Sequence, residues 1–238
     1  MFAALAALCI GVSKTGFSGV GMAAIVLMAQ VLPPRESTGA VLPMLILADL
    51  FAVQAYHRHA DRRVVVRLLP PALLGVVSGW LLMPHIPGAG FGRMIGWLTL
   101  GLIALVLAQK LAPSVVNLAA EHPGVAWPLG WLTGSTTMLA NAAGPVMTIY
   151  LLACRLPKLE FVGTGAWFFL AVNLIKVPFS ASLGLINPAS LNLNLCLAPA
   201  VAAGIFLGKW LLGKINQAVF EWLMIGFCLL GALRLLVR

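Results

Sequence analysis

A glycine-rich segment near the start of the chain carries the residue types that bind an anion. It reads GVSKTGFSGVG over residues 11–21. Glycine lets backbone N–H groups approach a ligand closely, serine and threonine hydroxyls can donate hydrogen bonds, and Lys14 supplies a positive charge. Close helix packing would also explain the glycines, but it would not explain Lys14. The predicted substrate-binding residues of this segment are Ser13, Lys14, Thr15, Gly16, Ser18 and Gly19.

A second polar segment, GSTTMLANAAGP over residues 134–145, has a similar composition. It offers hydroxyl and amide groups to a ligand but no charge. Pro145 suits the first turn of a helix, because no intrahelical N–H is lost there. The predicted substrate-binding residues of this segment are Ser135, Thr136, Thr137, Asn141 and Gly144.

Three further polar side chains lie inside long apolar stretches, where ionisable groups are costly and mark functional sites. Asp49 lies in one stretch, and Asn173 and Lys176 lie in another. Because residues three apart share a helix face, Asn173 and Lys176 are predicted to complete the substrate site. Asp49 either forms an ion pair with Lys14 or Lys176, or binds and releases a proton during transport. An alternative for Lys176 is that its long side chain extends to the membrane interface.

The composition indicates which solvent surrounds these residues. Of the 238 residues, 61% are hydrophobic and 9% are charged, and the mean hydropathy is +1.03. A soluble domain has about 45–50% apolar and about 25% charged residues, so a soluble enzyme or a secreted domain is excluded. The net charge of +9 fits loops that contact anionic lipid headgroups better than nucleic-acid binding. No metal site or cofactor is predicted, although HRHAD at residues 57–61 contains metal-ligand types.

The apolar stretches fall into two length classes. Crossing a hydrocarbon core about 30 Å thick takes about 20 helical residues. Four pieces are too short and form two pairs around the polar segments, so each pair is either one interrupted span or a hairpin that returns to the same side. The short pieces are residues 2–11, 20–32, 125–139 and 145–154. The stretches long enough to cross are residues 37–56, 64–83, 91–109, 161–181, 193–212 and 218–236.

The two halves of the chain resemble each other, as is typical of membrane transporters. LPPRESTG at residues 32–39 aligns with LPKLEFVG at residues 156–163, and the same register places Asp49 on Asn173. Two glycine pairs also match, Gly75 with Gly204 and Gly79 with Gly208. The predicted organisation is a first transmembrane repeat at residues 1–111, a linker at 112–124 and a second transmembrane repeat at 125–238.

The basic residues distinguish the two possible topologies, because cytoplasmic loops carry an excess of lysine and arginine. If the interrupted regions cross the membrane, the basic residues outside the membrane divide seven to six, whereas re-entrant hairpins divide them nine to four. The predicted fold is therefore an all-α polytopic membrane protein of two inverted repeats. Each repeat has one re-entrant or broken helical hairpin and three transmembrane helices. The loop at residues 57–67 is predicted to be cytoplasmic.

The order of these motifs resembles that of the TauE/SafE sulfite exporter family. The similar features are GVSKTGFSGVG, a Pro-x-x-Glu-x-x-Gly motif, an aspartate in the next span, a basic loop and PALLGVVSG, with a weaker repetition in the second half. The resemblance covers nearly the whole chain. It implies a multi-pass protein of the bacterial inner membrane that exports a small anion, sulfite or an organosulfonate such as sulfoacetate, without a cofactor. A homodimer is one possible assembly.

The residues and the resemblance both favour a carrier that works by alternating access, in which the two polar segments hold the anion between the repeats. A passive anion channel, or an importer of another small anion, is the alternative. An enzyme is not predicted, because the sequence has no HExxH or GxSxG motif. A GxxxxGK[ST] nucleotide-binding loop is also absent, so the membrane potential or a proton gradient through Asp49 would drive transport.

Overall fold

The computed structural model of the chain describes residues 1–15, 17, 20–114, 123–212, 214 and 217–237. Gly16, Ser18 and Gly19 of the first polar segment lie outside the described residues. The described residues form α-helices joined by short turns, with no β-strand among them. The helices are α1 (Phe2–Ser13), α2 (Val20–Val31), α3 (Pro34–Tyr56), α4 (Arg62–Leu82), α5 (Gly88–Leu111), α6 (Ala126–Ala140), α7 (Gly144–Ala153), α8 (Lys158–Ser182), α9 (Pro188–Leu212) and α10 (Gln217–Val237).

The predicted division into short and long helices is confirmed for the four short pieces and for five of the six long stretches. Helices α1, α2, α6 and α7 contain 10 to 15 residues. At 1.5 Å per residue the longest of them extends about 22 Å, which is less than a hydrocarbon core of about 30 Å. Each short helix is therefore too short to cross a membrane alone.

Five helices in the described part of the chain are long and apolar enough to cross a membrane. The protein is accordingly a multi-pass membrane protein. These helices are Pro34–Tyr56, Arg62–His85, Gly90–Leu111, Leu159–Ser182 and Pro188–Leu211. The predicted sixth span, residues 218–236, lies in α10, which has 21 residues and a described apolar part at Ile225–Val237.

The short helices form two contacting pairs, which we call the first hairpin (α1 and α2) and the second hairpin (α6 and α7). Each hairpin packs against a long helix from the other half of the chain. Helix α1 contacts α2 and α9, and helix α6 contacts α7 and α4. A Cβ atom at Gly11 would overlap the α9 backbone at Val201, and a Cβ atom at Gly134 would overlap the α4 backbone at Ala72. Glycine has no such atom, so these helices approach closely. Close packing is therefore one confirmed role of Gly11.

The glycines that match between the halves lie in these two contacts. Gly75 on α4 lies against the α6 backbone at Trp131, and Gly204 on α9 lies against the α1 backbone at Leu8. The second pair lies one turn further along, Gly79 against Met138 and Gly208 against Thr15. The contact between α1 and α9 thus uses the same arrangement of small residues as the contact between α6 and α4.

Helices α3 and α8 carry the polar residues of the long stretches. They pack against each other, and α3 also contacts α9 while α8 also contacts α4. Asp49 on α3 and Asn173 and Lys176 on α8 are each at most 2% exposed. The pair of helices therefore holds these side chains inside the bundle, where the short helices end.

Candidate functional site

Lys14, at the end of α1, pairs with Asp49 on α3. Its Nζ lies 2.7 Å from Asp49 Oδ1. The two side chains carry opposite charges, so they form an ion pair. The ammonium also lies 4.7 Å from the centre of the Phe169 ring, a cation–π contact. The structure thus contains the ion pair that is one of the two predicted roles of Asp49.

Lys176 reaches from α8 to the end of α6, where its ammonium contacts neutral oxygens. Its Nζ donates to Asn141 Oδ1 at 2.5 Å, to Thr137 Oγ1 at 3.1 Å and to Asn173 Oδ1 at 3.4 Å. The side chain is 1% exposed, so the alternative that it extends to the membrane interface is wrong. The second polar segment has no charge of its own, as predicted, and Lys176 places a positive charge beside it.

Asn173 connects the two charged groups. Its Nδ2 donates to Asp49 Oδ2 at 2.7 Å, and its Oδ1 accepts from Lys176. The amide thus presents its donor to the carboxylate and its acceptor to the ammonium. Two residues that align between the halves, Asp49 and Asn173, are in direct contact. The buried cluster contains two ammonium side chains and one carboxylate.

Asn141 gives the end of α6 its shape. Its backbone is left-handed, with φ 54° and ψ 27°, a conformation that asparagine adopts more readily than most residues. Its Nδ2 donates to the backbone carbonyl of Thr38 on α3 at 2.8 Å, while its Oδ1 accepts from Lys176. One side chain therefore connects α6 with both α3 and α8.

Helix α7 begins close by in sequence, with an uncapped end. It starts at Gly144 with Pro145 in its first turn, as predicted, and no side chain among the described residues caps it. The first N–H groups of a helix have no acceptor within the helix and carry a partial positive charge. The start of α7 therefore offers hydrogen-bond donors beside the left-handed turn at Asn141.

Four hydroxyl groups that were predicted to donate to a ligand donate to the backbone instead. Their acceptors are carbonyl oxygens three or four residues earlier, which is common for serine and threonine in helices. The pairs are Ser13 with Ile10, Thr15 with Val12, Ser135 with Trp131 and Thr136 with Leu132. In this structure these four hydroxyls are therefore engaged with their own helices, and their binding of a substrate stays a prediction. Thr137 differs, because its oxygen accepts from Lys176.

Two members of the site were not singled out from the sequence. Thr38 contributes its backbone carbonyl, a group that every residue has, so its side-chain type gives no signal. Phe169 contributes its ring to Lys14, but an aromatic residue in an apolar stretch is ordinary core composition. The contacts of Thr38 and Phe169 depend on which helices pack together, so the residue types alone do not predict them.

The basic loop before α4 lies apart from this cluster, against the start of α8. The backbone N–H of Asp61 donates to Thr164 Oγ1 at 2.9 Å, and a Cβ atom at Gly163 would meet the loop backbone at His59 and Ala60. Within the described ranges, no group of three or more His, Cys, Asp or Glu side chains is placed to hold a metal ion. The loop therefore connects α4 to α8 through backbone contacts.

Comparison with known proteins adds the family. Searches of curated proteins and of solved structures find no match to the chain. The family model described as Sulfite exporter TauE/SafE matches residues 3–235. Because this match covers nearly the whole chain, the protein belongs to the sulfite exporter TauE/SafE family of membrane transporters.

Proposed function

We propose that the protein is a secondary transporter that exports small sulfur-containing anions, such as sulfite or organosulfonates, across the bacterial inner membrane. Membership of the TauE/SafE family supports this class of substrate. The observation that carries the proposal is the buried Lys176 ammonium, whose hydrogen-bond partners among the described residues, Thr137, Asn141 and Asn173, are all neutral. A buried cation without a carboxylate at hydrogen-bond distance attracts an anion strongly, because little water screens it.

The energetics favour Lys176 over Lys14 as the cation that binds the anion. An anion that took Lys14 would leave the Asp49 carboxylate buried without its partner, and breaking a buried pair costs about 3–5 kcal/mol. An anion that bound to Lys176 would displace only amide or hydroxyl oxygens. The free-energy cost would be about 1–3 kcal/mol for each group left unpaired. The new charge-assisted hydrogen bonds offset that smaller cost. In this proposal Lys14 holds Asp49, and Lys176 holds the substrate.

The groups around Lys176 suit an anion with several oxygens on one atom. Sulfite and sulfonate groups both have this form. The Lys176 ammonium, the Asn141 amide and the first N–H groups of α7 lie at the same end of the second hairpin. Donors from a side-chain cation, an amide and a helix start can each take one oxygen of such an anion.

The packing of the two halves supports alternating access between inverted repeats. Each hairpin packs on a long helix of the other half, α1 on α9 and α6 on α4, and each contact uses a matched pair of glycines. Helices α3 and α8 meet where the charged cluster lies. In such a carrier the hairpin and the helix it packs on would move together, and the anion at Lys176 would become accessible from each side in turn.

Transport by purified protein in liposomes tests this proposal. Liposomes loaded with unlabelled sulfite or methanesulfonate should accumulate the labelled anion from outside, and the rate should saturate with concentration. Lys176→Met should abolish this exchange. The matched control is Lys209→Met on α9, which removes an exposed lysine and should leave the exchange unchanged.

Three results would contradict the proposal. The first is absence of exchange for sulfite and for sulfonates by protein that remains folded. The second is flux that does not saturate and shows no exchange, which would indicate a channel. The third is normal exchange by Lys176→Met, which would leave transport in place but remove Lys176 from the substrate site.

A further inference from the structure

Three arginines are clustered on the exposed face of α4 where that helix begins. Arg62, Arg63 and Arg67 are exposed, and together with Val66 they line a shallow cavity of about 440 Å³. Residues at these spacings lie on one side of a helix, over its first two turns. The cavity is separate from the buried cluster around Lys176.

None of the three guanidinium groups has an ion-pair or hydrogen-bond partner in the described part of the chain. The nearby Asp61 carboxylate accepts from the backbone N–H groups of Arg63 and Val64, at 2.8 Å and 3.4 Å, and so caps the helix. The start of a helix already carries a partial positive charge, and three like charges there repel one another. An external anion at this position would relieve that repulsion.

The exposed face of α4 continues from the arginines as an apolar surface. Val66 is 65% exposed, and Leu74 and Leu81 are each 54% exposed. These residues recur at the spacing of one helix face, and the distance from Val66 to Leu81 is about 22 Å at 1.5 Å per residue. An apolar surface of that length lies within a hydrocarbon core of about 30 Å.

We propose that this face of α4 is a binding site for one anionic phospholipid, with the phosphate on Arg62, Arg63 and Arg67 and an acyl chain along Val66, Leu74 and Leu81. Arginine pairs well with phosphate oxygens because its planar guanidinium offers two parallel donors. The arginines alone would suit any phosphate. The apolar surface that begins beside them selects a molecule that carries a chain as well as a charge.

A second copy of the chain fits this face less well than a lipid. A second copy would need carboxylates to pair with the three arginines. The whole chain has only six acidic residues and fifteen basic ones. Two of the six are already engaged, Asp49 with Lys14 and Asp61 at the start of α4. Anionic lipids supply the missing charge at the membrane surface, where they attract basic residues.

The test compares lipids that share acyl chains and differ in headgroup charge. Thermal unfolding of the purified protein in neutral detergent is followed with added phosphatidylglycerol or phosphatidylcholine. Phosphatidylglycerol should raise the midpoint temperature of unfolding by more than phosphatidylcholine does. Arg62→Gln with Arg67→Gln should remove most of that difference. The matched control, Arg93→Gln with Arg234→Gln, removes the same charge from exposed positions on α5 and α10 and should retain the difference.

Each other outcome overturns the proposal. Equal shifts with the two lipids, or equal losses in the two double variants, would mean that the headgroup does not bind at α4. A shift produced by soluble glycerol phosphate alone would indicate a phosphate site that does not need the chain. A change in oligomeric mass in Arg62→Gln with Arg67→Gln, measured without added lipid, would indicate a contact between copies. If the double variant does not fold, raising the salt from 0.15 to 0.5 M with the unaltered protein should reduce the phosphatidylglycerol effect, and an unchanged effect would overturn the site.

Discussion

The two hairpins end in similar polar segments, but the positive charges at their ends have different partners. Lys14 lies three residues after Gly11, which packs on α9, and Thr137 lies three residues after Gly134, which packs on α4. At the first position an ammonium pairs with a carboxylate, whereas at the second a hydroxyl accepts from Lys176 of another helix. Corresponding places in the two hairpins therefore carry different chemistry.

The difference indicates how one buried cluster can both be stable and bind an anion. An ammonium beside a carboxylate is neutralised, so the pair contributes to stability and attracts a further anion weakly. An ammonium beside amide and hydroxyl oxygens keeps its attraction for an anion. In the proposed function, Lys14 of the first hairpin anchors the cluster by pairing with Asp49 of α3, and Lys176 of α8 binds the substrate at the second hairpin.

Removal of Lys14 should have the largest effect on stability. Lys14→Met leaves the Asp49 carboxylate buried without its partner, so the free energy of unfolding should fall by about 3–5 kcal/mol. Denaturant unfolding in detergent measures this change. Addition of Asp49→Asn to Lys14→Met should recover most of the loss, because both charges are then gone. A double variant as unstable as the single one would mean that the pair does not anchor the cluster.

Alanine at either packing glycine should have the next largest effect. In Gly11→Ala and Gly134→Ala the added methyl group overlaps a facing backbone, so each should lower the free energy of unfolding by about 1–3 kcal/mol. The control is Gly101→Ala on α5, where a Cβ atom meets nothing within 4 Å and helix propensity favours alanine. Sensitivity at only one of the two positions would show that the two contacts are not equivalent.

The smallest expected effect is the difference in stability between two substitutions at Asn141, which separates the two roles of this residue. Asn141→Gly removes the amide but permits the left-handed backbone, whereas Asn141→Ala removes the amide and strains that backbone by about 1–2 kcal/mol. Thermal unfolding should therefore show the alanine variant to be the less stable, while both lose affinity for the anion to a similar extent. Equal stability of the two variants would mean that the backbone at this position is not held left-handed.

Much of the fold is predictable from the sequence because it depends on local composition and length. The four short apolar pieces are too short to cross a membrane, and the structure forms short helices there, with ends within two residues of those predicted. The matched glycines are also visible in the sequence, since close helix contacts in lipid require small residues. Asp49 and Lys176 stand out because charges in apolar stretches are rare.

The partners within the site are less predictable, because they depend on contacts between distant helices. Asp49 lies 35 residues from Lys14 and 127 from Lys176, and nothing local decides between them. Lys176 reaches the second hairpin because the fold brings its part of α8 near the end of α6. The hydrogen bonds from serine and threonine hydroxyls to the backbone could have been predicted, because these side chains in helices commonly donate to a carbonyl of the preceding turn.

The affinity of the purified protein for methanesulfonate, measured in two variants, tests the division between the hairpins most directly. The Lys14→Met with Asp49→Asn variant removes the anchoring pair together and should keep its dissociation constant within about threefold of the unaltered protein. Lys176→Met should weaken binding about 100-fold, which corresponds to about 2.7 kcal/mol. The opposite result, with binding retained in Lys176→Met and lost in the double variant, would contradict the assignment of the substrate to the second hairpin.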